Sequence, residues 1–259
     1  MTAQLKHGDF SSLADDYSRF REGYATSARD ALLGLTGRPP QELDVVDVGA
    51  GTGIWTRILA GASPRSLVAV EPNPHMRARG IEDSQDVTIR WVTGTGDATG
   101  LPTGSADMLT MASSFHWVDF ERGLDEFHRV LRPGGWFAAL WNPRQIETNP
   151  LLVRIEAEIT RLKPDLSRIT SSRSGLIATL TERLVARPGF GNVVYVEGRH
   201  TVRQSVDHYL GIWRSANDVQ VQLGSTLFER FMDRTRELLA GHDHVDTTYL
   251  TTIWAAQRE

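Results

Sequence analysis

The sequence predicts an α/β fold: a doubly wound, mostly parallel sheet with helices on both faces and a helical cap beside its strand ends. Three observations carry this. Short Val-, Leu- and Ala-rich runs alternate with helix-period stretches over residues 44–143, the pattern of repeated βαβ units. The first run breaks into a turn with glycines at alternate positions, Val45-Val46-Asp47-Val48-Gly49-Ala50-Gly51-Thr52-Gly53. A helix-rich segment, residues 144–188, then interrupts the alternation before strand-like sequence resumes over 189–259.

Composition narrows the function classes. The chain has 259 residues, 40% of them apolar, with a net charge of −4 and no cysteine. Disulfides, thiolate metal sites and a cysteine nucleophile are excluded. The eight histidines form no HExxH-type pair, so no metal is expected. No apolar run reaches membrane-spanning length and no charged-then-apolar leader opens the sequence, which fits a cytoplasmic protein without a membrane partner. The negative balance weighs against a nucleic-acid partner.

Taken in order, residues 1–43 are expected to form a helical lid. Phe10, Leu13, Tyr17, Phe20 and Tyr24 recur at helical steps, and a second helix is expected over Ser27–Leu35. Residues 45–48 read as a buried strand, followed by a helix from Gly53 to Ala60. Glycines in the turn let the backbone approach a ligand closely, and the next helix directs free amides toward it. Leu67–Val70 is the second strand and ends at Glu71. That acid lies 20 positions beyond Gly51, the offset at which a carboxylate reaches ribose hydroxyls in nucleotide-binding βαβ folds. Strands follow over Val87–Val92 and Ala106–Met111, then a helix over Phe120–Val130. Leu131-Arg132-Pro133-Gly134-Gly135-Trp136 breaks that helix and feeds a fifth strand, Phe137–Trp141.

The glycine spacing separates nucleotide cofactors. Dinucleotide sites use G-x-G-x-x-G, and Ile54 stands where that pattern needs its third glycine. Asp47-x-Gly49-x-Gly51-x-Gly53 instead resembles motif I of the class I S-adenosylmethionine (SAM) dependent methyltransferases. Phe10-x2-Leu13-Ala14-x2-Tyr17-x3-Arg21-x2-Tyr24 and Ser113-Ser114-Phe115-His116-Trp117 resemble a small-molecule subgroup related to trans-aconitate methyltransferase.

The resemblance implies a Rossmann-like, seven-stranded sheet whose last strand, near 247–256, is antiparallel beside the fifth. It implies SAM as cofactor, with Gly49, Gly51 and Gly53 beside its methionine part, Asp47 supporting the amino end and Glu71 on the ribose. It also implies Asp97 and the Ala98 amide at the adenine, Ser113 nearby, and Tyr17 and Arg21 closing over the cofactor. His116 would face the transferred methyl group as a base or a positioner, with Trp117 and Trp141 beside the acceptor.

Helices are expected over Pro150–Leu162 and Ser174–Ala186 within the cap, then a strand at Val193–Val196 and helices over Ser205–Ala216 and Val219–Leu239. Residues 144–187 carry eight Lys+Arg and five Asp+Glu, a balance of +3 in a chain of −4. Together with the resemblance, this points to a small anionic or aromatic acceptor, with Arg144, Arg173 and Arg214 as its cationic candidates. The reading is thus methyl transfer from SAM to a small molecule. A tRNA or rRNA methyltransferase and a non-catalytic SAM-binding regulator are the alternatives.

Overall fold

A computed structural model describes residues 11–166 and 175–259. Phe10 and Arg173 lie outside them. Two short helices, α1 (Ala14–Phe20) and α2 (Thr26–Gly34), precede β1 (Asp44–Val48), α3 (Ile54–Ala60), β2 (Ser66–Val70), α4 (Pro74–Glu82) and β3 (Arg90–Val92). Then come β4 (Ala106–Ala112), α5 (Phe120–Val130), β5 (Leu131–Trp141), α6 (Pro150–Leu162) and α7 (Gly175–Val185). The chain closes with β6 (Phe190–Ser205), α8 (Val206–Arg214), α9 (Asn217–Leu239) and β7 (His244–Arg258).

The seven strands form one sheet in the order β3-β2-β1-β4-β5-β7-β6. β1 to β5 are mutually parallel, and β7 runs antiparallel to both β5 and β6. The antiparallel strand beside the fifth is therefore where the sequence led us to expect it.

Alternation along the strands explains the two apolar faces. Val46, Val48, Leu109 and Met111 point to one side, where Phe115, Phe127 and Phe137 pack under α5 and α7. Val45, Met108 and Leu140 point to the other, against Leu32, Trp55 and Leu59 of α2 and α3. A sheet buried on both faces needs near-continuous apolar strands, which is what β1, β2 and β4 supply. Helix starts are fixed locally. Asn73 and Asn149 cap α4 and α6 with their side-chain oxygens, each ahead of a proline at the first helical position, and Asp119 caps α5.

Several elements depart from expectation. The first lid helix stops short of Tyr24: α1 ends at Phe20, and Arg21 is extended (φ −75°, ψ 130°). Tertiary bonds replace helical ones there. The Gly23 carbonyl accepts from Asn142 Nδ2 (2.8 Å) and meets His200 Nε2 (3.1 Å), while the Ala25 amide donates to Thr251 Oγ1 (2.9 Å). β5 starts six residues early, at Leu131 paired with Ala106; the Pro-Gly-Gly segment then loops out before Trp136 pairs with Met108. β6 is much longer than Val193–Val196, and α9 breaks at Gly224 (φ 67°, ψ 168°).

The two helices expected side by side at 144–188 part company. α6 packs with α8 and α9 through Leu152, Ile155, Tyr209, Trp213 and Phe231, forming a separate helical layer. α7 instead covers the sheet with Leu180 and Leu184. The helical layer thus draws on residues 206–239, which the sequence suggested were core. Among the described residues, no helix is long and apolar enough to cross a membrane.

Candidate functional site

A cavity of about 910 Å³ opens outside the carboxyl ends of the parallel strands, under the helical layer. This is the crevice where open α/β sheets bind ligands. Its floor is the turn after β1. Gly49, Gly51 and Gly53 all have positive φ (66°, 58° and 78°), so the alternation of glycines follows from backbone conformation. A Cβ on Gly49 would lie 2.8 Å from the Ser114 side chain. A Cβ on Gly51 would lie 3.4 Å from the Met76 methyl group, so bare backbone faces the cavity at both positions.

Glu71 stands at the end of β2 and is buried. Its Oε2 accepts from the Gly51 amide (2.7 Å) and its Oε1 from the Asn73 amide (2.8 Å). Burial raises its pKa, partly offset by those two amides. Each oxygen keeps a lone pair for a ligand hydroxyl. Beyond β3, Asp97 lines the cavity, accepts from Thr95 Oγ1 (2.7 Å) and pairs with Arg122 (2.7 Å). The Thr95 hydroxyl, its own backbone amide and Arg122 together hold its carboxyl below the ordinary range.

The end of β4 brings Ser113, His116 and Trp117 to the cavity. Ser113 has φ 52° and shares a hydrogen bond with Tyr24 Oη (2.9 Å). Trp117 is 53% exposed and its ring contacts His116 (centroids 4.7 Å apart). The far wall comes from the segment after β5, from α6, α8 and α9, and from β7. Arg144 is drawn in because its neighbours extend the sheet: the Leu250 amide donates to the Pro143 carbonyl and the Gln145 amide to that of Thr248. Arg144 Nη2 then meets Glu156 Oε1 at 2.8 Å, and the guanidinium lies 4.5 Å over the Trp213 ring. Burial would lower the Arg144 pKa, but Tyr209, Glu156, Tyr249 and Asp218 outweigh it and hold the group charged. Tyr17 and Arg21 close the cavity from the N-terminal segment, with Arg21 donating to the Ser215 carbonyl (3.3 Å).

Ten of the expected residues therefore meet at one cavity: Tyr17, Arg21, Gly49, Gly51, Glu71, Asp97, Ser113, His116, Trp117 and Arg144. Five others do not. Asp47 is fully buried beneath the turn, accepting from Thr56 Oγ1 (2.6 Å) and Thr110 Oγ1 (3.3 Å), and burial pushes its carboxyl up to about 7. Gly53 caps α3, where a Cβ would meet the Trp91 ring at 3.0 Å. The Ala98 amide is spent on the Thr95 carbonyl. Trp141 is buried behind His116 and donates from Nε1 to His116 Nδ1 over a long 3.5 Å. Arg214 is exposed and does not line the cavity. Of the three cationic candidates, Arg144 alone is found at the cavity among the described residues.

The sequence reading passed over Tyr24, Glu156, Asp218 and Tyr249, which also line the cavity. Tyr24 stood in the N-terminal motif itself. The others sit on α6, α9 and β7, and only the tertiary fold converges them.

Comparison with known proteins places this geometry. Residues 46–139 match a family described as a methyltransferase domain. An uncharacterized methyltransferase of Mycobacterium tuberculosis is 36% identical over 136 residues, which is 52% of this chain and 52% of that protein. The match thus spans about half the length of that relative. A 2-methyl-6-phytyl-1,4-hydroquinone methyltransferase of Oryza sativa is 38% identical over 113 residues, 41% of this chain and 31% of that protein. A candidate type II methyltransferase from Anaeromyxobacter dehalogenans shares the fold, with a TM-score of 0.63 at 21% identity, covering 91% of this chain and 97% of that one.

Proposed function

Because the chain carries a class I SAM-dependent methyltransferase domain, we propose that it transfers a methyl group from SAM to a small molecule held under the helical layer, which serves as a cap. One observation supports this above all. A single cavity joins the bare Gly49–Gly51 backbone and the Glu71 carboxylate to an aromatic wall of Trp117, Trp213 and Tyr249. The residues fit the cofactor: Glu71 would take the ribose hydroxyls, Asp97 the adenine amine, and the glycine turn the methionine part, with Tyr17 and Arg21 covering it. The relative named for a hydroquinone acceptor agrees with a ring-bearing substrate.

When bound, SAM supplies a methyl carbon already activated by its sulfonium. The chain's own task is then alignment and exclusion of water, so no nucleophile or metal cluster is required. His116 acts in this reading as a positioner. The Trp141 Nε1–H lies 3.5 Å from Nδ1, an arrangement that favours the tautomer with its proton on Nε2. His116→Gln keeps a donor, and kcat/KM should fall by less than the roughly 10²-fold minimum expected for a lost general base. A larger fall, with loss of the acidic limb of the pH–rate profile, would make His116 the base instead.

Glu71→Ala removes a charged hydrogen-bond acceptor and should weaken binding of S-adenosylhomocysteine by about 1.5–3 kcal/mol. That is about 10- to 150-fold in Kd by titration calorimetry. The same titration tests the whole reading. NADH binding without SAM binding would overturn it, and turnover of short RNA but of no small molecule would overturn the acceptor class.

A further inference from the structure

The wall facing the acceptor is built from acids rather than bases. Its charged residues are Glu22, Glu147, Glu156 and Asp218 against Arg21 and Arg144. Arg144 is not an open anion receptor. Its side chain is 14% exposed, and its guanidinium is held by Glu156, itself 17% exposed, and rests on the buried Trp213 ring. Asp218 acts on the same guanidinium. One cation is therefore flanked by two carboxylates, and the cluster keeps a surplus negative charge inside a half-enclosed cavity, where charges interact more strongly than in water. An anionic acceptor entering here would meet that surplus with Arg144 Nη2 already on Glu156 and only the buried Nη1 left without a hydrogen-bond partner. A cation would meet carboxylates and aromatic faces together, the combination that already holds Arg144.

Building on the methyltransferase reading, we infer that the acceptor bears a cationic, amine-type group, recognised by Glu156 and Asp218 beside Trp213 and Tyr249. This reverses the anionic acceptor that the basic composition of residues 144–187 suggested. Among the described residues, Arg154, Arg161, Lys163, Arg183 and Arg187 of that segment do not line the cavity.

The test uses the full chain saturated with S-adenosylhomocysteine and three matched probes: 2-phenylethylamine, 2-phenylethanol and 3-phenylpropanoate. Binding of S-adenosylhomocysteine is measured first; its failure would sink the methyltransferase reading and this inference with it. Given that binding, the amine should bind at least about tenfold more tightly than the carboxylate, as expected for a hydrogen bond to a charged group. Glu156→Gln and Asp218→Asn should each narrow that ratio while leaving S-adenosylhomocysteine affinity unchanged. Asp218→Asn covers the case in which loss of the Glu156 charge unseats Arg144. The inference is overturned if the carboxylate binds as tightly as the amine, if none of the probes binds, or if both variants keep the wild-type ratio.

Discussion

The stability of the wild-type chain relative to its Asp47→Asn variant is expected to fall as pH rises from about 4 to about 8, by roughly 4 kcal/mol in total. Asp47 is fully buried, and desolvation raises its carboxyl from 3.8 to about 7 against the two threonine hydroxyls that favour the charged form. The folded state therefore holds a proton that the unfolded chain releases near pH 4. This group's contribution is complete below the unfolded pKa and is lost as pH rises through the folded one. Asparagine is nearly isosteric, cannot ionise, and still offers an oxygen to Thr56. Urea unfolding of both chains across that pH range gives the difference directly. A difference that stays flat, or that moves in favour of the wild type as pH rises, would contradict the buried-acid account.

Gly49→Ala should be comparably severe. The substitution forces a Cβ to within 2.8 Å of Ser114, whose hydroxyl donates to the Val48 carbonyl, and it does so at φ 66°. Left-handed backbone costs an ordinary residue about 1–2 kcal/mol, and overpacking about 1–3 kcal/mol more. A loss of about 2–5 kcal/mol in unfolding free energy is expected on that arithmetic. Binding of S-adenosylhomocysteine should fail with it, because the bare backbone at this turn is what faces the cavity. Gly34→Ala, with nothing within 4 Å of the added Cβ and an ordinary helical conformation, serves as the control: binding should not change and stability should rise by up to about 1 kcal/mol.

How much of this was legible in the sequence depended on how local its cause was. β1, β2 and β4 announce themselves because burial on both faces demands apolar runs. Glu71 could be placed because a short strand-turn-helix unit fixes its distance from Gly51, and the structure brings its carboxylate to the Gly51 amide. Asp47 could not be placed as well: a strand-end acid looks the same in sequence whether it faces a ligand or hides under Thr56 and Thr110. Trp141 and Trp117 lie within one segment's reach of His116, yet one is buried behind it and the other half exposed beside it. The end of α1 at Phe20 depends on Asn142, His200 and Thr251, all more than 100 positions away. The net charge of residues 144–187 says little about the cavity for a related reason: charge summed along a segment takes no account of which side chains turn inward, and among its described basic residues Arg144 alone does so at the cavity.

The length of the last two strands has a consequence of its own. β5 meets β7 only from Trp136–Gln257 to Trp141–Thr252, whereas β6 accompanies β7 onward to Ser205–His244. This two-stranded ribbon runs past the main sheet, braced by the Pro143–Gln145 stretch and by Gly23 and Ala25 of the N-terminal segment, and α8 and α9 are the excursion at its tip. Two of the helices over the cavity are thereby mounted on a stem that lies apart, in the sheet, from the glycine turn. Selection can reshape the tip, lengthen it or exchange it while the glycine turn and Glu71 stay untouched. On the proposed reading, the α8–α9 excursion is the natural place to graft a new specificity onto this chain.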